Sequence, residues 1–198
     1  MLQYLKKGVI LLAQFTKKAI MDTFVRLLNQ YPLDKITVKD IVDECGINRN
    51  TFYYYFQDIY AVIDEIFQFE TQRILSKEKL YDSWEKGFME TSEFAFKNQR
   101  AIYHIYHSLS RDRLENYLYR VLDDLMVDFV YKEAEGLCVE EADIRFIADF
   151  YKYALAGMVF KWLEDGMKEN AMDFIQRLSS LFGGSIKMAL TKASVSKR

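Results

Sequence analysis

The side chains best suited to chemistry lie in one stretch, TVKDIVDECGINRNTFYYYF, residues 37–56. Its second half holds Arg49, Asn50 and Thr51, then three consecutive tyrosines, Tyr53, Tyr54 and Tyr55. An arginine fork bonds guanine at two atoms, an asparagine amide does the same to adenine, and threonine reaches a phosphate or a thymine methyl. Tyrosine hydroxyls donate to phosphate oxygens, and their rings lie along sugars. Phe52 and Phe56 are four apart, so on a helix they share one face and anchor it inward. A run of aromatics is ordinarily core. Three consecutive tyrosines, however, point in about three directions on a helix and cannot all be buried in a unit this small. A short helix with this outer face suits the major groove of DNA.

Other chemistry is poorly represented. There is no glycine-rich phosphate loop, no serine elbow and no HExxH, so an enzyme ranks last. His104 and His107 stand at i, i+3 but lack a third ligand, so no metal is expected, nor any cofactor. Cys45 and Cys138 lie far apart and read as two reduced thiols. Asp123, Asp124 and Asp128 read as a solvated helix face. Aromatic residues from Trp84 to Trp162 form either plain core or an apolar pocket. If a pocket, its candidate ligand contacts are Trp84, Tyr103, His107, Tyr151 and Trp162.

The elements that must position the 37–56 stretch announce themselves locally. A first clear helix starts near Phe15, with Ile20, Phe24, Leu27, Leu28 and Tyr31 along one stripe. Pro32 ends it at about Gln30. Thr37 is an N-cap with Asp40 three residues on, close to a capping box. Gly46 stops that helix after two turns, Asn48 caps the next, and Asp58 caps a fourth carrying Ile59, Val62, Ile63, Ile66 and Phe67. Two short helices joined by a tight glycine turn, after a longer one, make a helix-turn-helix. Beyond it, helical patterns cover 81–98, 99–108, 112–133, 141–165 and 171–190. In 141–165 the stripe is Ile144, Ile147, Ala148, Tyr151, Leu155, Met158, Val159 and Trp162. Gly183-Gly184 is either a break or a close approach, and the tail 191–198 is polar and frayed.

Composition agrees. The chain has 198 residues, 51% apolar and 28% charged, which excludes disorder. One proline and eight glycines are too few for the many turns of a sheet protein. Net charge is −2, but residues 1–60 carry eight basic and six acidic side chains, the sign expected where a chain meets phosphate. Lys6, Lys7, Lys17 and Lys18 are either a basic arm along DNA or a solvated face. The apolar stretch 8–13 is short for a signal peptide and no run is long enough for a bilayer, so a soluble cytoplasmic protein without membrane contact is expected.

The segment 15–67 resembles the DNA-binding domain of TetR (tetracycline repressor) family transcriptional regulators. The resemblance rests on the amphipathic first helix, on ITVKDIVDECGI as second helix and turn, and on NRNTFYYYF as recognition helix. It implies an all-α bacterial protein with an N-terminal extension at 1–14 and the helix-turn-helix domain at 15–67. A helical effector-binding and dimerisation domain at 68–190 and a flexible tail at 191–198 would follow. It further implies a homodimer on a palindromic double-stranded operator, controlled by a small-molecule effector or a partner protein. By position, Arg49 and Asn50 are base readers, and Tyr53 touches base methyls or backbone. Asn48 belongs to the same interface, and Thr51, Tyr54 and Tyr55 meet phosphate, as do Thr37, Val38 and Lys39. The family usually has a lysine three residues after the final aromatic; Ile59 stands there, with Tyr60 or the N-terminal lysines as substitutes. FYYYFQDIYAVIDEIF and GMVFKWLEDGMKE are similar to a subgroup that includes activators of dihydroxyacetone-kinase genes. The dimer interface is expected from helices 141–165 and 171–190. The main rival is a helical adaptor that keeps the fold without binding DNA.

Overall fold

The computed structural model describes residues 2–75, 86, 89, 93–108, 110–182 and 184–195. Every regular element among them is helical. They are α1 (Leu2–Leu28), a 3-10 turn (Leu33–Lys35), α2 (Val38–Cys45), α3 (Arg49–Tyr55), α4 (Ile59–Leu75), α5 (Glu93–Lys97), α6 (Gln99–Tyr106), α7 (Arg111–Ala134), α8 (Glu141–Glu164), α9 (Ala171–Phe182) and α10 (Ser185–Val195). None is long and apolar enough to cross a membrane.

The chain divides into two compact units, with boundaries inside α4 and α7. The first holds residues 1–70 and 98–114. Its core is four of the five predicted stripe residues of α1 (Ile20, Phe24, Leu27 and Leu28; Tyr31, past the helix end, is exposed) packed with Ile41 and Val42 of α2, Phe52 of α3, and Val62 and Ile63 of α4. At roughly 1.5–3 kcal/mol per fully buried large apolar side chain, this cluster is what orders so short a pair of helices as α2 and α3. α1 runs back to Leu2 rather than starting near Phe15, because nothing between them breaks a helix. α6 joins this unit through polar contacts the sequence does not advertise. His104 Nδ1 lies 2.7 Å from the Leu28 carbonyl; a carbonyl only accepts, so Nδ1 is the donor. The Asn29 amide donates to Asn98 Oδ1 at 2.9 Å and accepts from the Ala101 N–H at 3.3 Å.

The second unit holds residues 71–97 and 115–198. Leu122, Met126 and Val130 of α7, Ala148, Tyr151 and Leu155 of α8, and Phe174, Leu178, Ile186 and Leu190 form its core. The stripe of α8 needs one correction. Ala156 and Leu163 are buried while Met158 is exposed, because Met158 borders a cavity rather than a neighbouring helix. The 171–190 pattern is broken, not continuous. Gly184 takes a left-handed φ of 73°, and the Ser185 hydroxyl donates to the Phe182 carbonyl across the break at 2.8 Å. α10 then continues to Val195, past the point where the tail was expected to fray.

Candidate nucleic-acid interface

The second helix of the interface is fixed at both ends. Thr37 Oγ1 accepts from the Asp40 N–H at 3.3 Å, and Asp40 Oδ2 accepts from the Thr37 N–H at 2.8 Å, a complete capping box. Asp40 Oδ2 also accepts a hydrogen bond from the Thr37 hydroxyl at 2.6 Å. These bonds from Thr37 hold the Asp40 carboxyl below its ordinary pKa. With Thr37 thus engaged, the groups α2 leaves for a phosphate are the first-turn N–H of Val38 and Lys39 and the exposed Lys39 side chain. Gly46 closes α2 at φ 71°, a conformation other residues adopt only with strain.

Asn48 caps α3 in turn. Its Oδ1 accepts from the Thr51 N–H at 2.8 Å and from the Thr51 hydroxyl at 3.1 Å. Both side chains therefore first build the helix start. Phe52 (0% exposed) and Phe56 hold one face inward, their ring centroids 5.9 Å apart. At about 100° per residue, Asn50 and Tyr54 fall opposite that anchor, with Tyr53 on one flank, Thr51 and Tyr55 on the other, and Arg49, in the first turn, nearer the anchor side. Asn50 and Tyr54 are accordingly exposed, Tyr54 at 79%, with Tyr53 at 55% and Thr51 and Tyr55 half-buried; Arg49 is exposed because it opens the helix. Among the described residues Arg49 has no ionic partner. The arrangement can present a guanidinium, an amide and phenols to a groove about as wide as a helix.

The surrounding lysines behave differently. Lys17 pairs with Glu65 at 2.5 Å and lies 5.7 Å from the Phe56 ring centroid. Lys18 pairs with Asp22 at 3.3 Å. Both are thus paired within the protein while staying partly exposed, as the solvated-face alternative expects. Lys6 and Lys7 fall outside the described side chains. After α3, Asp58 Oδ1 accepts from the Ala61 N–H at 2.8 Å and starts α4. Tyr60, on its first turn, lies 5.8 Å beneath the Arg113 guanidinium, which is itself paired with Asp64.

Comparison with known proteins agrees with this geometry. Residues 20–66 match the family described as bacterial regulatory proteins, tetR family, and residues 82–184 match one described as transcriptional regulator C-terminal region. The chain belongs to the TetR family. It is a DNA-binding transcriptional regulator of a family that is not enzymatic. A curated relative, the HTH-type dhaKLM operon transcriptional activator DhaS of Lactococcus lactis subsp. lactis (strain IL1403), is 27% identical over 95 residues. That match covers 48% of each chain, so this chain spans about half the length of that relative. Two solved structures share the fold at 19% identity. One, a dihydroxyacetone kinase operon activator DhaS, has a TM-score of 0.75 over 87% of this chain and 97% of that one. The other, a TetR transcriptional regulator from Streptococcus agalactiae 2603V, has a TM-score of 0.54 over 96% and 99%.

The described residues considered as ligand contacts belong to two units. Trp84 lies outside the described residues. Tyr103 and His107 belong to the first unit, their rings 4.3 Å apart on the exposed side of α6. Tyr151 and Trp162 belong to the second. The Tyr151 hydroxyl donates to Ser185 Oγ at 2.9 Å, and Trp162 Nε1 donates to the Glu169 carbonyl at 2.9 Å. Among the described residues no three His, Cys, Asp or Glu side chains are grouped to hold a metal. Asp123, expected on a solvated helix face, is instead half-buried and paired. It accepts from Lys152 at 2.7 Å and Arg145 at 2.8 Å, and Lys152, itself buried, also donates to Asp149 at 2.6 Å. The alternation Arg145, Asp149, Lys152 along α8 was the available signal.

Proposed function

We propose that the chain works in the bacterial cytoplasm as a homodimer on a palindromic operator, one α3 in each major groove. The observation that carries this is the outward face of α3, where Arg49, Asn50 and Tyr54 are exposed and the guanidinium has no carboxylate partner among the described residues. Arg49 and Asn50 read bases, and Tyr53 reads base methyls or backbone. Thr51, Tyr54 and Tyr55, with Asn48 beside them, and Val38 and Lys39 of α2, positioned by the Thr37 cap, hold phosphate. Two-fold symmetry sets the paired helices one turn of DNA apart, about 34–36 Å.

The dimer reading is supported by a second stripe on α8. Phe146, Phe150 and Tyr153 are exposed at i, i+4 and i+7, and Gly157 follows at i+11. Met188 of α10 is exposed as well. An aromatic stripe with a small residue at its end is suited to an isologous helix pair. Control comes from a small molecule or partner protein that binds one state of the dimer better than another. Of the candidate ligand contacts Trp162 has the strongest support, because it lines a cavity. The dhaKLM relative's name makes activation of a dihydroxyacetone-kinase operon the first regulatory outcome to test.

The test is titration of the full chain with fragmented genomic DNA over a salt series. Affinity that falls linearly in log–log form with salt is the expected result. Absence of salt-dependent binding at every ionic strength overturns the reading and favours the adaptor.

A further inference from the structure

The turn between α8 and α9 borders a cavity of about 350 Å³. Trp162, Phe174, Leu178 and Leu181 supply its apolar lining. Trp162 and Phe174 are buried and stacked, with ring planes 14° apart and centroids at 5.4 Å. The indole N–H is already held by the Glu169 carbonyl, so the aromatic wall is ordered before any ligand arrives. Leu181 lines the same space and is 64% exposed, which leaves that part of the lining open to solvent.

The charged residues around this wall do not balance. Lys161, Lys168 and Arg177 line the cavity against Asp165 and Glu169. Both acids are already matched: Asp165 accepts from Lys161 at 2.6 Å, and Glu169 accepts from Arg177. Lys168 has no ionic partner among the described residues. One surplus cation thus sits beside a preformed apolar wall, in a space of the size that small ligands occupy.

We propose that this cavity binds a small organic monoanion, a carboxylate with a compact apolar body, its body against Trp162 and Leu178 and its charge on Lys168. An inorganic anion gains nothing from the apolar wall, and a single exposed lysine holds such an ion weakly. An uncharged hydrocarbon gains nothing from Lys168. The inference rests on the second unit alone and is independent of the operator reading.

The experiment uses the full chain carrying Trp84→Phe, which leaves Trp162 as the one indole of the two in the sequence. Octanoate is titrated by tryptophan fluorescence and calorimetry, with 1-octanol and inorganic phosphate as controls. One octanoate per chain with a dissociation constant below about 1 mM is expected. Both controls should bind at least about tenfold more weakly. Lys168→Gln should weaken octanoate by about 3–10-fold. Leu181→Glu, at an exposed position the fold tolerates, should remove binding. Three results overturn the proposal: no saturable octanoate signal, octanol binding as tightly as octanoate, or octanoate binding unchanged in both variants. A Trp162 shift that follows protein concentration without octanoate also overturns it, because a second copy of the chain then covers the cavity. None of these outcomes touches DNA binding, so the two readings fail separately.

Discussion

Phe52 and Phe56 lie one helical turn apart with ring centroids 5.9 Å from each other, and every outward group of α3 is aimed by that pair. Truncating Phe52, fully buried, to alanine should cost about 3–5 kcal/mol. The loss should appear in denaturant unfolding, together with loss of DNA binding. Phe52→Leu should recover most of the stability and some of the binding. A Phe52→Ala chain that kept both would show that the anchor is unnecessary.

Cap chemistry gives a pH dependence with a definite sign. Thr37 holds the Asp40 carboxyl below its ordinary pKa. A carboxyl depressed in the folded state stabilises at neutral pH, and that contribution disappears as pH falls through the depressed value. Asp40→Asn should therefore flatten the acid limb of the melting temperature, measured between pH 7 and about pH 3. The wild-type slope persisting in Asp40→Asn would contradict the assignment.

The ion cluster of α7 and α8 should behave as a unit. Burial alone would raise the Asp123 pKa and lower that of Lys152, but their mutual bond, with Arg145 and Asp149, more than offsets this in both. Stability carried by Asp123 is therefore present at neutral pH and lost on acidification below the usual carboxylate range. Asp123→Ala should destabilise by about 1–3 kcal/mol, discounted for partial exposure. Lys152→Met should cost less than Asp123→Ala, since it leaves Asp123 bonded to Arg145 and puts an apolar stem where Lys152 lay, whereas Asp123→Ala leaves the buried Lys152 ammonium with Asp149 alone. Chemical denaturation of the two variants at neutral pH checks the order.

The exposed stripe of α8 predicts the oligomer. Phe150→Glu replaces a side chain that is 61% exposed, so the fold should hold while the dimer weakens by about tenfold or more. Sedimentation equilibrium reads this directly. A variant as dimeric as the wild type would move the interface elsewhere.

What the sequence made legible was mostly local. Pro32, Thr37, Gly46, Asn48 and Asp58 each mark a helix boundary through bonds or dihedral limits within a few residues, and the structure uses each of them there. Phe52 and Phe56 were readable as anchors because their spacing equals a helical turn. The misses were long-range. Asp123 pairs with residues 22 and 29 positions away, and Asn29 bonds Asn98 across 69, separations at which periodicity carries no information. Met158 fitted its stripe by spacing alone and is exposed because a cavity takes the place of a packing partner. Lys17 pairs with Glu65, a partner too distant in sequence for periodicity to show.

The most direct test of the central claim compares the wild type and Arg49→Ala on DNA recovered by selection from random fragments. The wild type should recover a two-fold symmetric site. Arg49→Ala should keep its fold, lose about 1–3 kcal/mol, and lose preference at one base pair per half-site. Equal affinity and an unchanged sequence preference in Arg49→Ala would contradict the account.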